Sequence, residues 1–212
     1  MMAIGIIWAA LAPLSLVVAA ALLAWLLRKA GVRWAIAIAA AAVAVPVVVF
    51  SYLDGLGFER ICESEAKATI HRRAAADGIF LNSGTSNSFG MRYLQEEGFS
   101  WVEAPSIYKK NAWVRYQKSA DGNIATTDIG ALTARYEVRE DFSKPDAYTS
   151  LSVTQVIDRS SGEILARAGS AIFDGGRMNL VLGAWGMRSC PSPRSAAAGF
   201  DDYYHLAKKT LR

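Results

Sequence analysis

Two long apolar runs open the chain, and then its pattern changes. From Ala3 to Leu27 about 25 positions carry no charge, and from Trp34 to Leu53 about 20 more do the same, each enough for a helix across a hydrocarbon core that takes roughly 20 residues. Trp8 and Trp25 lie near the ends of the first run, where amphipathic rings favour the headgroup zone. Pro13 removes one backbone hydrogen bond, which a membrane helix tolerates with or without a kink. The second run is rich in alanine, with Ala35 and Ala39, and Ala40 and Ala44, at the spacing that lets two helix backbones approach closely. Between the runs stand only Arg28-Lys29-Ala30-Gly31-Val32-Arg33, a tight connection. The pattern predicts an antiparallel transmembrane hairpin in residues 1–53, with helices over about 3–27 and 34–53, followed by a domain over 54–212.

In that second part Glu59 to Arg73 is a run of good helix formers, with Ile61, Cys62, Ala66, Thr69 and Ile70 at helical spacing. Gly55 and Gly57 ahead of it read as a flexible joint; with no preceding strand they make no nucleotide-binding fingerprint. From Phe99 onward the period becomes two, which predicts strands. Phe99 to Ala104 forms one. Ala112, Val114 and Tyr116 alternate with polar or half-polar neighbours, and Ser119-Ala120-Asp121-Gly122-Asn123 turns the chain into Ile124, a hairpin signal. Ala134, Tyr136 and Val138 alternate likewise, and Leu151, Val153 and Ile157 lead through Asp158-Arg159-Ser160-Ser161-Gly162 into Glu163 to Phe173, a second hairpin. Phe200, Tyr203, Tyr204, Ala207 and Leu211 form an apolar helical stripe, with Asp201 and Asp202 before it and Lys208, Lys209 and Arg212 after, matching the macrodipole. The fold class expected is a membrane hairpin followed by an α+β domain with an antiparallel sheet.

Composition narrows the choice of function. Of the 212 residues 52% are hydrophobic and 20% charged, which excludes intrinsic disorder. The net charge of +4 is local, because Arg28, Lys29 and Arg33 supply most of it and the rest is nearly balanced. A phosphate-binding surface needs clustered Lys and Arg, so nucleic acid is not an expected partner. The same three residues orient the hairpin, since basic loops stay on the cytoplasmic side. The connection is then inside and the large domain outside, in a bacterial periplasm. Charges after rather than before the first apolar run mark an uncleaved anchor, not a signal peptide. Arg60, Arg72 and Arg73 oppose this orientation, but a domain of this length translocates largely regardless of its own charge.

Chemistry-bearing residues are few. Cys62 and Cys190 are the two cysteines, and an even pair in an exported domain predicts a disulfide. Closing so long a loop stabilises a fold by about 4 to 5 kcal/mol in the chain-entropy model. Neither cysteine has a C-x-x-C partner, so zinc and redox sites are not expected. Ser64 with Lys67, and Ser106 with Lys109, match S-x-x-K, a pattern that chance produces in a chain of this size; its S-D-N and K-T-G companions are absent from the sequence. His71 and His205 are the two histidines; His205 lies one turn from Asp201 and Asp202, too few ligands for a tight metal site. No catalytic, cofactor-binding or metal residue is assigned. Asn82 to Gly90, rich in small polar residues, reads as a mobile connection or a recognition loop. Tyr108, Lys109, Lys110 and Trp113 mix aromatic and basic character, for packing or for contact with a peptidoglycan or protein surface. The function expected is that of a non-enzymatic inner-membrane protein whose periplasmic domain binds or modulates another envelope component. A small envelope hydrolase using His71 or His205 as base, and an immunity or assembly accessory protein of a secretion system, are the alternatives.

Overall fold

The computed structural model describes residues 2–82, 92–119, 121–179, 186–191 and 203–212; before residue 17, only Ser15 has a described side chain. The first apolar run is one helix, α1 (Met2–Lys29), continuous through Pro13. Gly31, at φ 78°, ends it in the left-handed conformation that glycine adopts without a Cβ clash, and the Val32 N–H donates back to the Leu27 carbonyl at 2.9 Å. The second helix, α2, spans Ala35–Glu65. Among the described residues it is the one helix long and apolar enough to cross a membrane. Ala35 and Ala39, at the close-approach spacing, are each 1% exposed, whereas Ile36 and Val48 face outward.

The chain forms two compact units. The first comprises the helices through Arg60 with Lys144–Thr149 and Ile172–Ser189; the second holds Ile61–Ser143, Ser150–Ala171 and Cys190–Arg212. In the first unit α2 is unbroken across Gly55 and Gly57, which corrects the flexible joint. Gly55 is buried, and a Cβ there would collide with the Arg188 guanidinium. Its bareness serves close approach rather than bending. Arg188 also pairs with Glu59 at 2.7 Å and lies over the rings of Phe58 and Phe173 at 5.2 and 4.9 Å. One turn nearer the apolar run, Asp54 takes two bonds from the Arg177 guanidinium and a third from its backbone N–H at 2.9 Å. Those bonds, Arg177's first, hold its carboxyl below the usual range. Gly176, at φ 66°, stands so close to Asp54 that a side chain would not fit.

The strands are β1 (Thr69–Ile70), β2 (Gly78–Leu81), β3 (Trp101–Pro105), β4 (Trp113–Lys118), β5 (Ile124–Ile129), β6 (Tyr136–Ser143), β7 (Thr149–Asp158), β8 (Glu163–Phe173) and β9 (Arg188–Cys190), all in the second unit except Thr149, the last two residues of β8 and the first two of β9. Their order is β1-β8-β7-β6-β2-β3-β4-β5, with β9 also on β8. Both predicted hairpins form. β4 pairs β5 from Trp113↔Ile129 to Lys118↔Ile124, closed by the Ser119 N–H on the Asn123 carbonyl at 2.8 Å. Asp158 ends β7, accepts the Ser160 N–H at 3.0 Å, and is followed by Gly162 at φ 73°.

Three expectations are corrected. The sheet is mixed, not purely antiparallel, because β2 lies parallel to both β3 and β6. All four β2 residues are buried, so the run Gly-Ile-Phe-Leu lacks the alternation that marks a half-exposed strand. The helix expected over Glu59–Arg73 ends at Glu65, and Thr69–Ile70 instead pairs Arg167–Ala166 of β8. Glycine at 169 permits this, since a Cβ there would strike the Glu65 carbonyl, and Arg167 binds the Glu65 carboxylate. The last helix, α4, is the short Leu206–Leu211, following Tyr203 and Tyr204; Phe200, Asp201 and Asp202 lie outside the described residues. A four-residue helix, α3 (Arg92–Gln95), precedes β3.

The core gathers Ile79, Leu81, Val138, Val156 and Leu165 from the sheet with Leu94 and Phe99, and closes under Leu206, Ala207 and Leu211 of α4. Leu165 and Leu211 are wholly buried, so truncating either to alanine would cost about 2 to 5 kcal/mol. Cys62 and Cys190 are bonded, with Cα atoms 5.9 Å apart.

Candidate functional site

A group of buried and half-buried polar side chains in the second unit joins Arg92 of α3 and the turn after it to His205, just ahead of α4. Backbone bonds from Glu96 and Glu97 N–H to the Arg92 carbonyl, at 2.7 and 3.2 Å, wind the chain one further turn. Gly98 at φ 80° then releases it toward β3. The turn leaves the Glu97 side chain sealed from solvent, 3.2 Å from Arg92 Nη2 and 3.6 Å from His205 Nδ1. The backbone N–H of Lys208, in the first turn of α4, favours the charge on the same carboxylate. Arg92 lies over the rings of Tyr204 and Tyr93 at 3.8 and 4.8 Å, and Tyr204 meets His205 edge-on at 4.9 Å.

The electrostatics follow from this packing. Burial pushes Glu97 up to about 7, against the pull of Arg92 and of the Lys208 N–H. Burial also opposes the charge on Arg92, but Tyr93, Tyr204 and Glu97 outweigh it and leave the guanidinium held more firmly than usual. The Tyr93 hydroxyl is pushed well up by burial. The arrangement sets a carboxyl that changes state near neutral pH 3.6 Å from an imidazole nitrogen, with a cation beside it.

Glu103, Glu137, Glu140 and Asp158 are also buried in the same unit. Glu140, 4% exposed, accepts from Ser152 Oγ at 2.7 Å and from the Tyr203 hydroxyl at 3.3 Å. Glu103, wholly buried on β3, accepts from the backbone N–H groups of Thr133 and Ala134, each at 2.9 Å, from Thr133 Oγ1 at 2.8 Å and from Arg115 at 2.6 Å. Burial pushes Glu103 up, but those donors outweigh it and hold the carboxyl below the usual range.

The residues singled out from sequence fall in different places. His205 joins the Glu97 cluster. His71 is exposed beyond β1, its backbone N–H bonded to the Leu165 carbonyl at 2.8 Å. Ser64 bonds the Ile61 carbonyl and Lys67 lies beyond the end of α2, so the helical geometry that S-x-x-K requires is missing. Ser106 Oγ accepts the N–H groups of Tyr108 and Lys109 to shape the β3–β4 turn, and Lys109 pairs with Asp128. Of the Asn82–Gly90 run only Asn82 is described. It exchanges bonds with the Glu140 backbone at 3.3 and 3.5 Å, continuing the sheet. Trp113 packs edge-on against Phe80 at 5.6 Å, whereas Tyr108 is 90% exposed. An open depression of about 400 Å³, lined by Gln95, Ser100, Gln117, Lys118 and Ser119 among others, holds neither a histidine nor a carboxylate. Among the described residues no group of three or more His, Cys, Asp or Glu is placed to hold a metal.

Arg92, Glu97, Glu103 and Glu140 were not anticipated. One signal for Glu103 stands in the sequence, a charge between Val102 and Ala104 in a strand buried on both faces.

No known family matches the chain, and no curated protein matches it. Among solved structures, a dodecameric PelC variant from Paraburkholderia phytofirmans is similar over 69% of this chain and 96% of that chain, at 11% identity and a TM-score of 0.33, a likeness too slight to assign fold or function.

Proposed function

We propose that this chain is a bacterial inner-membrane protein, anchored by a hairpin of α1 and α2, that presents its sheet domain in the periplasm to bind or modulate another envelope component without catalysis. The observation that carries the reading is the Cys62–Cys190 bond, reached soon after the charge-free run of α2 ends at Asp54, since such bonds persist in oxidising compartments. The Arg28, Lys29 and Arg33 charges between the helices support the same orientation. Glu97, Glu103 and Glu140 fit a binding domain, because each is engaged by the domain's own side chains or backbone.

A phosphatase active only outside the cytosol, fused behind Arg212, should be active, and both thiols should resist alkylation in unreduced cells. A silent fusion or two alkylated cysteines would reverse the reading. Crosslinking in native membranes followed by mass spectrometry should then capture an envelope protein. A second reading, a small envelope hydrolase with His205 as base, draws on the 3.6 Å contact with Glu97. Under it His205→Ala abolishes function; under the first reading binding survives that change.

A further inference from the structure

We propose that one end of the sheet docks on the surface of the bilayer, through an apolar edge made by the β3–β4 turn, with its two lysines, and the end of β6. Among the described residues of the second unit, three large apolar side chains are more than half exposed: Ile107 at 69%, Tyr108 at 90% and Phe142 at 63%. Strand polarity brings them to the same end. β3 and β6 flank β2 and both run parallel to it, so the turn that follows Pro105 and the residue that nearly ends β6 leave the sheet in one direction. Apolar groups scattered singly need no explanation; these three leave the sheet at one end, which is where a contact would cover them together.

The turn is also a firm platform. Its Ser106 N–H donates to the Ala112 carbonyl at 2.8 Å, its Ser106 Oγ takes two backbone N–H groups, and Asn111 adopts φ 58° to close it. Ile107 and Tyr108 are thus held outward, with little further entropy to lose on contact. Beside them Lys109 and Lys110 are exposed, Lys109 in an ion pair with Asp128, while exposed Asp141 stands next to Phe142. An aromatic ring, an aliphatic side chain and lysines on one turn suit the boundary between acyl chains and anionic headgroups, where rings settle and each lysine gains about fivefold in partitioning. The occupant is accordingly the bilayer in which α2 is anchored, an argument that rests on the membrane-anchored reading above.

The test uses full-length protein in vesicles. Because Cys62 and Cys190 are bonded, Tyr108→Cys supplies a single thiol for an environment-sensitive fluorophore. Val45→Cys on α2 and Ser161→Cys in the β7–β8 turn, at the opposite end of the sheet, serve as references. In vesicles with phosphatidylglycerol, nitroxide lipids labelled at the headgroup should quench the probe at 108 and leave that at 161 untouched. Lys109→Glu with Lys110→Glu should lower the docked population by about tenfold or more. Quenching at 45 by acyl-chain nitroxides with none at 108 would overturn docking and leave the anchor standing. Absence of quenching at 45 would overturn the anchor itself. A probe at 108 equally shielded in detergent would assign the edge to a protein contact and overturn docking on lipid.

Discussion

Glu97 and Glu103 stand six positions apart in sequence, and each has at most 1% of its surface in water. Their chemistry runs in opposite directions. Glu103 lies in mid-strand, facing the backbone of Thr133 and Ala134, and collects four short hydrogen bonds that stabilise its charge. Glu97 lies under the first turn of α4, where its neighbours are an arginine occupied by two rings, a histidine at 3.6 Å and one backbone N–H. Burial alone does not fix a carboxyl's charge state. The donors that burial brings with it decide, and they make Glu103 a fixed joint of the sheet and Glu97 a group that changes state near neutrality.

The largest effect should come from breaking the fixed joint. Glu103→Ala leaves the Ala134 N–H without its acceptor and Arg115 without its carboxylate, at a cost of about 3 kcal/mol. Urea unfolding followed by tryptophan fluorescence, at constant m-value, measures it. A loss below 1 kcal/mol would mean that water replaces the carboxylate and that the contrast is overstated.

Next comes the pH dependence that the two acids impose with opposite signs. Glu97 has its folded pKa raised from 4.5 to about 7, so the folded state binds the proton more tightly. Its contribution is complete below pH 4.5 and is lost as pH rises through about 7, a fall of about 2 kcal/mol between pH 5 and 8. Glu103, lowered, contributes above its ordinary 4.5 and loses that contribution as pH falls through its folded value. Glu97→Gln should flatten the neutral limb and leave the acid limb in place. If the wild type is level from pH 5 to 8, the Glu97 assignment fails. Arg92→Met sharpens the point: with its cation gone, Glu97 should titrate higher still, so the decline, which again begins near the ordinary 4.5, should continue past pH 7 instead of levelling off there.

How much of this could be read beforehand follows from the same physics. The two hairpins were legible because Gly122 and Gly162 punctuate period-two runs with one polar face. The cysteine pairing was legible because two cysteines allow one internal pairing. β2 was not, since a strand covered on both faces by neighbours far away in sequence loses its alternation. Nor was the unbroken course of α2, because Gly55 looks like a breaker until Arg188, brought in by the fold, is seen against it. The Glu97 cluster was hidden for the same reason: Arg92, Glu97 and His205 are ordinary residues in a polar stretch until α4 covers them. The His205 reading from sequence looked to Asp201 and Asp202, its neighbours along the chain, whereas the carboxylate that reaches it comes from 108 positions away.

The smallest effect tests whether ion pairs outside the buried clusters matter at all. Lys109 of the β3–β4 turn and Asp128 of β5 are paired, but their side chains are 63% and 59% exposed. Water competes for both ends, and holding a long side chain in one rotamer costs entropy, so Lys109→Met should change stability by less than about 0.5 kcal/mol. The same substitution removes one of the two lysines at the edge proposed to meet the bilayer. Unfolding in detergent and quenching of the probe at 108 in vesicles should therefore separate, the first unmoved and the second reduced. A variant that loses both would show that Lys109 holds the turn in shape, and Lys110 would then carry the lipid contact alone.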